Sequence, residues 1–536
     1  MRQIMPVADI LKSHNLTKFL PYSLRGVERE TLRCRSTDSS HCEISYAPHA
    51  QSLGSPLTNK YFKLDFSESL EELVSPPLSS NECVMEFMTI LHSILSKHHP
   101  EDLLWPFSSP PAISSNPPLA NFGTSHPARF RHLYRESLEC RYRSTKCQLL
   151  AGIHFNFSLS EDLFKSLGGN PTETRNKVYM NCYKNVQLYA WIIMLLTGSS
   201  PYLHPSYFND YETSATSSPS SATSASRDVT FPNATSLRCS YLGYRNPKHE
   251  VFDRPINSVS DYIDMITTAT TIAYEPFGQC AKYLTNKLIQ IPAEFYGIIR
   301  PKTLFNLGKC EPEIEVNSWK TPILLEQSGI QYLELRCIDC QFDSSTGLSL
   351  ELLDLLEVFM IFGCFSPVSD LDSDMMRVLE TFFDDICLRG GELLDKNLEI
   401  PNFLQELTNT SRVKECVEFL LTTELLPIAQ VLDFAYQCQH YENSIKYYIN
   451  SFRNNNLKFQ KFREIVETQY NGDFTLFGCQ LARQFKSELD VVKIKEDYQT
   501  HFDMEIERSV KEFQYLEQRD PKCFSFEQYV KKIVEE

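Results

Sequence analysis

The chain has 536 residues, with 68 acidic against 52 basic side chains and a formal net charge of −16. That length can bury one very large core or two to three ordinary ones. So acidic a balance excludes nucleic acid as the main partner, because phosphate binding needs a basic face, and an acidic chain that binds a nucleotide needs cations to do so.

The first residues, Met1 to Asp9, lack the apolar core of a signal peptide. Residues 6–20 read as a short helix. The stretch Leu24-Arg25-Gly26-Val27-Glu28-Arg29-Glu30-Thr31-Leu32-Arg33 follows. As a strand it sends Glu28 and Glu30 to the same face, about 7 Å apart. Such a pair is either a solvent-washed polar face or a cation site, and magnesium, which takes a few carboxylates plus phosphate oxygens, suits the second.

Residues 35–60 read as a loop. From Lys63 to Val74, with Asp65, Phe66, Glu68, Glu71 and Glu72, strand and helix patterns fit almost equally, until Pro76-Pro77 ends the segment. Apolar positions at helical spacing (Val84, Phe87, Met88, Leu91, Leu95) predict a helix over 81–98. Residues 106–120 form a Pro- and Ser-rich connection, and 129–142 look helical. The next strand, Gln148 to Leu159, alternates cleanly: Leu149, Ala151, Ile153, Phe155 and Phe157 on one face, Gln148, Gly152, His154, Asn156 and Ser158 on the other.

A helix is expected around 183–196; its apolar run Ala190–Thr197 is too short to span a bilayer. Residues 213–226 are a flexible Ser/Thr-rich insert. Strands are then expected over 234–240, over 291–302 with Glu294, Tyr296, Arg300 and Lys302 in phase, and over 329–339 with Tyr332, Glu334 and Arg336 on one face. From 347 onward only helices are expected, with no catalytic constellation.

Seventeen cysteines, an odd number at scattered spacings, point to free thiols in a reducing cytosol. Cys337 and Cys340 form a lone CxxC whose sulfurs, on extended chain, face opposite sides, so neither zinc nor redox chemistry is read there.

The polar faces together hold Glu28, Glu30, Glu294 and Glu334, with Asp65 and Glu72 nearby, His154, and Arg238, Arg300 and Arg336. Buried charge is costly unless paired or metal-bound. A sheet lined this way suits ATP bound through several divalent cations, with arginines on the phosphoryl group in transfer. Neither a GxxxxGK[ST] loop nor a strand-bound GxGxxG occurs, so phosphate chemistry must run through carboxylate-held metal.

The chain resembles the glutamate–cysteine ligases of the proteobacterial type. The matching segments, in the family's order, are Arg25–Arg33, Leu53–Thr58 with Asp65-Phe66, Trp105-Pro106, Gly123–Ser125 with Arg129-Phe130, Leu133–Glu136, Gly152–Leu159, Ala234–Arg238 with residues 242–244, Ile299–Lys302 and Tyr332–Arg336. The resemblance implies an α+β fold: a glutamine-synthetase-like antiparallel catalytic sheet surrounded by helices, with a mostly helical C-terminal half. The division expected is 1–346 for the sheet region and 347–536 for the helices packed on it.

It also implies ATP-dependent joining of the L-glutamate γ-carboxylate to the L-cysteine amine through a γ-glutamyl phosphate, the first step of glutathione biosynthesis. The alternatives are another carboxylate–amine ligase of the same fold and a non-catalytic relative acting as a binding protein. Carried across by position, Glu28, Glu30, Asp65, Glu72, His154 and Glu334 are magnesium ligands, with manganese as a substitute ion. Arg238 and Arg336 attend the glutamate and the transferred phosphoryl group, and Arg300 and Lys302 attend ATP. Phe66, Tyr134, Leu138, Gln148, Tyr244 and Tyr296 wall the cysteine pocket. A cytoplasmic monomer with no nucleic-acid or membrane partner is expected. The chain departs from the family pattern at Gln331, at Ala293, in one extra residue between Tyr142 and Gln148, and in the Ser/Thr-rich insert.

Overall fold

The computed structural model describes residues 5–37, 41–142, 145–208, 229–243, 245–304, 320–523 and 525–535. The Ser/Thr-rich insert at 213–226 lies outside them. Ten strands are defined: β1 (Leu24–Ser36), β2 (Cys42–Ile44), β3 (Phe62–Leu64), β4 (Leu70–Val74), β5 (Leu103–Leu104), β6 (Ile153–Ser158), β7 (Tyr202–Leu203), β8 (Val229–Thr230), β9 (Ile299–Lys302) and β10 (Tyr332–Ile338). Strands β3-β4-β1-β6-β10-β9 make one antiparallel sheet in that order, β2 and β5 add to β1, and β7 pairs only β8. The thirteen-residue β1 is central because its alternation gives both faces something to hold.

One face of β1 carries Arg25, Val27, Arg29, Thr31 and Arg33 toward the interior, where each arginine is paired. Arg25 meets Glu357 of the helix Leu350–Phe365 and Tyr436, and Glu357 also accepts from Asn81 and Tyr441. Arg29 donates to the Thr346 carbonyl, and Arg33 pairs Glu71 and Asp102. Buried cations without such partners would be strongly destabilising. The helix Asn81–His98 starts on the Ser80 cap, whose hydroxyl accepts from the Cys83 N–H, and packs behind β1 and β4.

The helix expected at 183–196 runs longer, Pro171–Thr197, started by Asn170, which caps two N–H groups. It packs along Leu350–Phe365 and Ser373–Asp395, with nearly every residue of its second half buried. Each fully buried Leu or Phe there contributes about 1.5–3 kcal/mol. Beyond 347 the described residues are helical, including Asn402–Thr408, Lys458–Gln469, Phe474–Asp490 and Phe526–Glu535, which periodicity did not single out. One hydrophobic cluster extends from Val7 to Phe502, so the C-terminal helices share the sheet's core. No described helix is long and apolar enough to cross a membrane.

Four expectations need correction. The strand expected from Gln148 begins only at Ile153, because Thr145–Leu149 winds into a 3-10 helix. Residues 234–240 form turns, because their N–H groups bond out to Cys387 and Ser200 carbonyls instead of a neighbouring strand. The segment 291–302 becomes a strand only at Ile299; Pro292–Glu294 is a 3-10 turn closed by Glu294 N–H on the Ile291 carbonyl. Cys42–Cys479 and Cys140–Cys280 are disulfides with Cα atoms 5.8 Å apart, so four of the cysteines are not free thiols. Their partners are 437 and 140 residues apart in sequence, which left no spacing to read.

Candidate active site

Cross-strand register brings the acids together. Glu30 on β1 stands opposite Glu72 on β4, and Glu28 stands opposite His154 on β6. On the far side of β6, Asn156 faces Glu334 of β10, which in turn faces Arg300 of β9. The β6–β10 register shifts between Leu335 and Ile338, so Arg336 and Cys337 bulge beside His154. Side chains on this face therefore come from five strands of one sheet.

His154 is the hub. Its Nδ1 lies 3.2 Å from Glu28 Oε2 and 3.5 Å from Glu334 Oε1, and its Nε2 lies 3.7 Å from Glu30 Oε1. Asn156 donates to Glu28 Oε1 at 3.1 Å, and the Gly152 N–H donates to Glu30 Oε2 at 2.7 Å. Glu334 is buried and accepts from Arg336 at Oε1, while Lys302 Nζ lies 3.0 Å and Arg300 3.8 Å from Oε2 as ion pairs. Burial alone would raise its carboxyl, yet Lys302, Arg336 and Arg300 hold it well below the ordinary range. Glu72 has no such escort: burial, with the charges of Glu28, Asp65 and Glu30, pushes it up to about 8 against the pull of Lys63. Carboxylates forced together in this way neutralise one of their number unless a cation does so instead.

Beside the acids opens a cavity of about 380 Å³, whose wall includes His154, Arg238, Arg245, Tyr296 and Arg336. Arg238 donates to the carbonyls of Ile338 and Arg336, and lies 3.9 Å from Asp339, itself held by Ser199, Ser200 and Ser236. Gly152 makes this approach possible: a Cβ there would fall 1.8 Å from Arg238 Nη2. Arg300 is turned partly away, donating to the Ala293 and Phe295 carbonyls.

The remaining expected residues divide. Tyr296, whose N–H donates to Asn246, lines the cavity, and its ring sits 6.0 Å from that of Tyr142. Tyr134 is half-buried, and burial with the nearby Glu294 charge pushes its hydroxyl up. Phe66 and Leu138 are buried in the main core, and Gln148 is buried against Cys147, so the structure does not bring these three to the cavity wall. Asp65 is half-exposed beyond β3, near enough to Glu72 for its charge to be felt. Tyr244 lies outside the described residues. Glu294, read as part of the acidic face, is instead fully buried and accepts from Tyr142 and the Gln290 N–H, with Arg141 at 3.6 Å. Asn156, Gly152, Lys63 and Asp339 were missed as site residues; for the first two, the polar alternation read from Gln148 to Leu159 was the available signal, Asn156 lying on β6 and Gly152 just before it.

Ligand atoms of Glu28, His154 and Glu334 all lie within 4.8 Å of one another, and the buried His154 Nε2 has no hydrogen-bond partner. Oxygen donors dominate, the set hard divalent ions take. The residues fit magnesium or manganese, with Glu30 and Glu72 completing the acidic surround.

A model of the family described as glutamate–cysteine ligase matches residues 8–386. The glutamate–cysteine ligase of Aliivibrio fischeri is 28% identical over 515 residues, covering 94% of each chain. That of Vibrio campbellii is 31% identical over 382 residues, 69% of each. Among solved structures, the glutamate–cysteine ligase of Francisella tularensis in complex with AMP superposes with a TM-score of 0.83 at 21% identity, over 96% of this chain and 97% of that one. The bifunctional glutathione synthetase of Pasteurella multocida gives 0.68 at 20% identity, over 94% of this chain and 58% of that one.

Proposed function

The chain belongs to the glutamate–cysteine ligase family, and we propose that the acid-lined face of its sheet holds magnesium for the ATP-dependent step of that family's reaction. The enzyme joins the γ-carboxylate of L-glutamate to the amine of L-cysteine, forming γ-glutamylcysteine for glutathione synthesis. A carboxylate is a poor electrophile, so a γ-oxygen first takes the terminal phosphoryl group of ATP, releasing ADP. The cysteine amine then attacks the carbonyl carbon of that acyl phosphate, phosphate leaves with the C–O electron pair, and the amine gives up a proton.

Glu28, Glu30, Glu72, His154 and Glu334, with Asp65 at the rim, would hold the ions. Bound there, magnesium supplies neutralisation of phosphate charge and fixes the nucleotide for in-line transfer. The protein's own part is orientation and charge. Arg238 and Arg336, on the cavity wall, offer guanidinium N–H groups to the anionic oxygens of glutamate and the moving phosphoryl group. Lys302 and Arg300, already beside Glu334, extend that positive rim toward ATP. Tyr296 and Tyr134 supply an aromatic wall suited to a small neutral thiol. Residues 347–536 serve mainly as scaffold, Glu357 fixing Arg25 at the base of β1, while Met376, Glu380 and Phe383 of the helix Ser373–Asp395 line the cavity. A cytoplasmic monomer is part of this reading.

The observation that carries the proposal is the paired register Glu30–Glu72 and Glu28–His154, with Glu334 in reach of the same histidine. The test is ADP release with each component omitted in turn. Turnover should require glutamate, cysteine and magnesium together; release indifferent to cysteine would overturn the assignment of the acceptor.

A further inference from the structure

We propose that His49, Glu71 and His99 form a second metal site, on the reverse face of the sheet, that takes a zinc-class divalent ion. Alternation along β4 sends Glu72 to the acidic face and its neighbour Glu71 to the opposite one, level with Thr31 of β1. There His49, from the segment between β2 and β3, places Nδ1 at 3.1 Å from Glu71 Oε2 and 3.2 Å from Oε1. His99, just beyond the helix Asn81–His98, places Nε2 at 3.5 Å from Oε1. Zinc bonds of about 2.0–2.2 Å in tetrahedral array put neighbouring ligand atoms roughly 3.3–3.5 Å apart. The two imidazole–carboxylate separations are already near that spacing, the three ligand atoms lie within 4.8 Å of one another, and imidazole with carboxylate is a donor set for zinc, cobalt or nickel.

Two further observations point to an ion. The Nε2 of His99, the atom facing Glu71, has no hydrogen-bond partner, although its ring is more than nine-tenths buried. Imidazole nitrogens left so are costly. The surrounding groups also suit a cation: Glu71 and Asp102 pair with Arg33 and Arg35, and Glu68 accepts the His49 N–H at 2.7 Å. Arg33 takes Glu71 Oε1 at 2.9 Å, the oxygen His99 also approaches, and Oε2 lies toward His49. Asp102, 3.9 Å from His99 Nδ1, is placed as the outer carboxylate that orients a ligating imidazole. An ion here would clip β4 from behind, one residue from Glu72.

The test uses the full chain, stripped with chelator, desalted, and loaded with Zn2+ or Co2+ in saturating Mg2+. Wild type should retain one Zn2+ per chain and show the intense visible absorption of tetrahedral Co2+, and zinc should raise its melting temperature. His49→Gln and His99→Gln should lose the ion while circular dichroism reports an intact fold, and Glu334→Gln should keep it. No retained zinc in wild type, a weak octahedral cobalt spectrum, full retention in both histidine variants, or loss in Glu334→Gln would each overturn the site. The wild-type spectrum decides the matter even if a histidine variant fails to fold.

Discussion

Glu30 and Glu72 face each other directly across β1 and β4, two carboxylates at one rung of an antiparallel ladder. Like charges so placed repel by about 0.2–1 kcal/mol even when solvated, and more when buried. Burial and the neighbouring acids accordingly push Glu72 up to about 8. Glu72→Gln should therefore melt higher than wild type in chelator, while its turnover with magnesium falls by on the order of a hundredfold or more. A lower melting point with near-normal turnover would mean the pair is stabilised by something other than a cation.

Gly152 leaves room for Arg238, and a methyl group there would collide with the guanidinium. Arg238 could move only by giving up its bonds to the Ile338 and Arg336 carbonyls. Gly152→Ala should lower kcat/KM by roughly a hundredfold, the usual cost of misplacing a positioning group by an ångström, and should lower the melting temperature as well, because a buried guanidinium gives up its partners. Full activity in this variant would separate Arg238 from the chemistry.

Tyr296→Phe should raise the KM for cysteine several-fold and leave that for ATP unchanged, since removing uniform binding affects KM alone. A change confined to the ATP dependence would place Tyr296 outside the acceptor pocket.

His92 gives a pH prediction away from the site. Its Nδ1 meets the Met88 carbonyl at 2.7 Å; burial first, and the Arg29 charge second, lower its pKa to about 3. The unfolded chain takes up that proton near pH 6.5, the folded one only near 3. Between these values the unfolded state binds more protons, so stability falls as pH falls, by at most about 1.4 kcal/mol per pH unit. His92→Leu should flatten the dependence of unfolding free energy on pH between 6 and 4 relative to wild type. Parallel curves for the two proteins would contradict this.

Strict alternation made β1, β6 and β10 legible, and with them Glu28, Glu30, His154 and Glu334 on polar faces. What alternation does not encode is register: that Glu28 meets His154, and that Glu72 rather than Glu71 turns to the acids, depends on pairing between strands far apart in sequence. Glu294 was misread because its period matched the strand, whereas Pro292 opens a turn that buries it against Arg141 and Tyr142. Phe66 and Leu138 show the same limit from the apolar side, since a core position and a pocket wall have one composition. The disulfides and the His49–Glu71–His99 cluster join elements remote in sequence, and no local spacing announces them.

The central claim is that acids from separate strands hold divalent ions together. The direct measurement is titration of Mn2+ into the protein with ADP, the free ion followed by electron paramagnetic resonance. Wild type should bind Mn2+ displaceable by Mg2+, and Glu28→Gln and Glu334→Gln should each lose an ion or weaken its binding by roughly 10–100-fold. Unchanged number and affinity of bound ions in both variants would contradict the account.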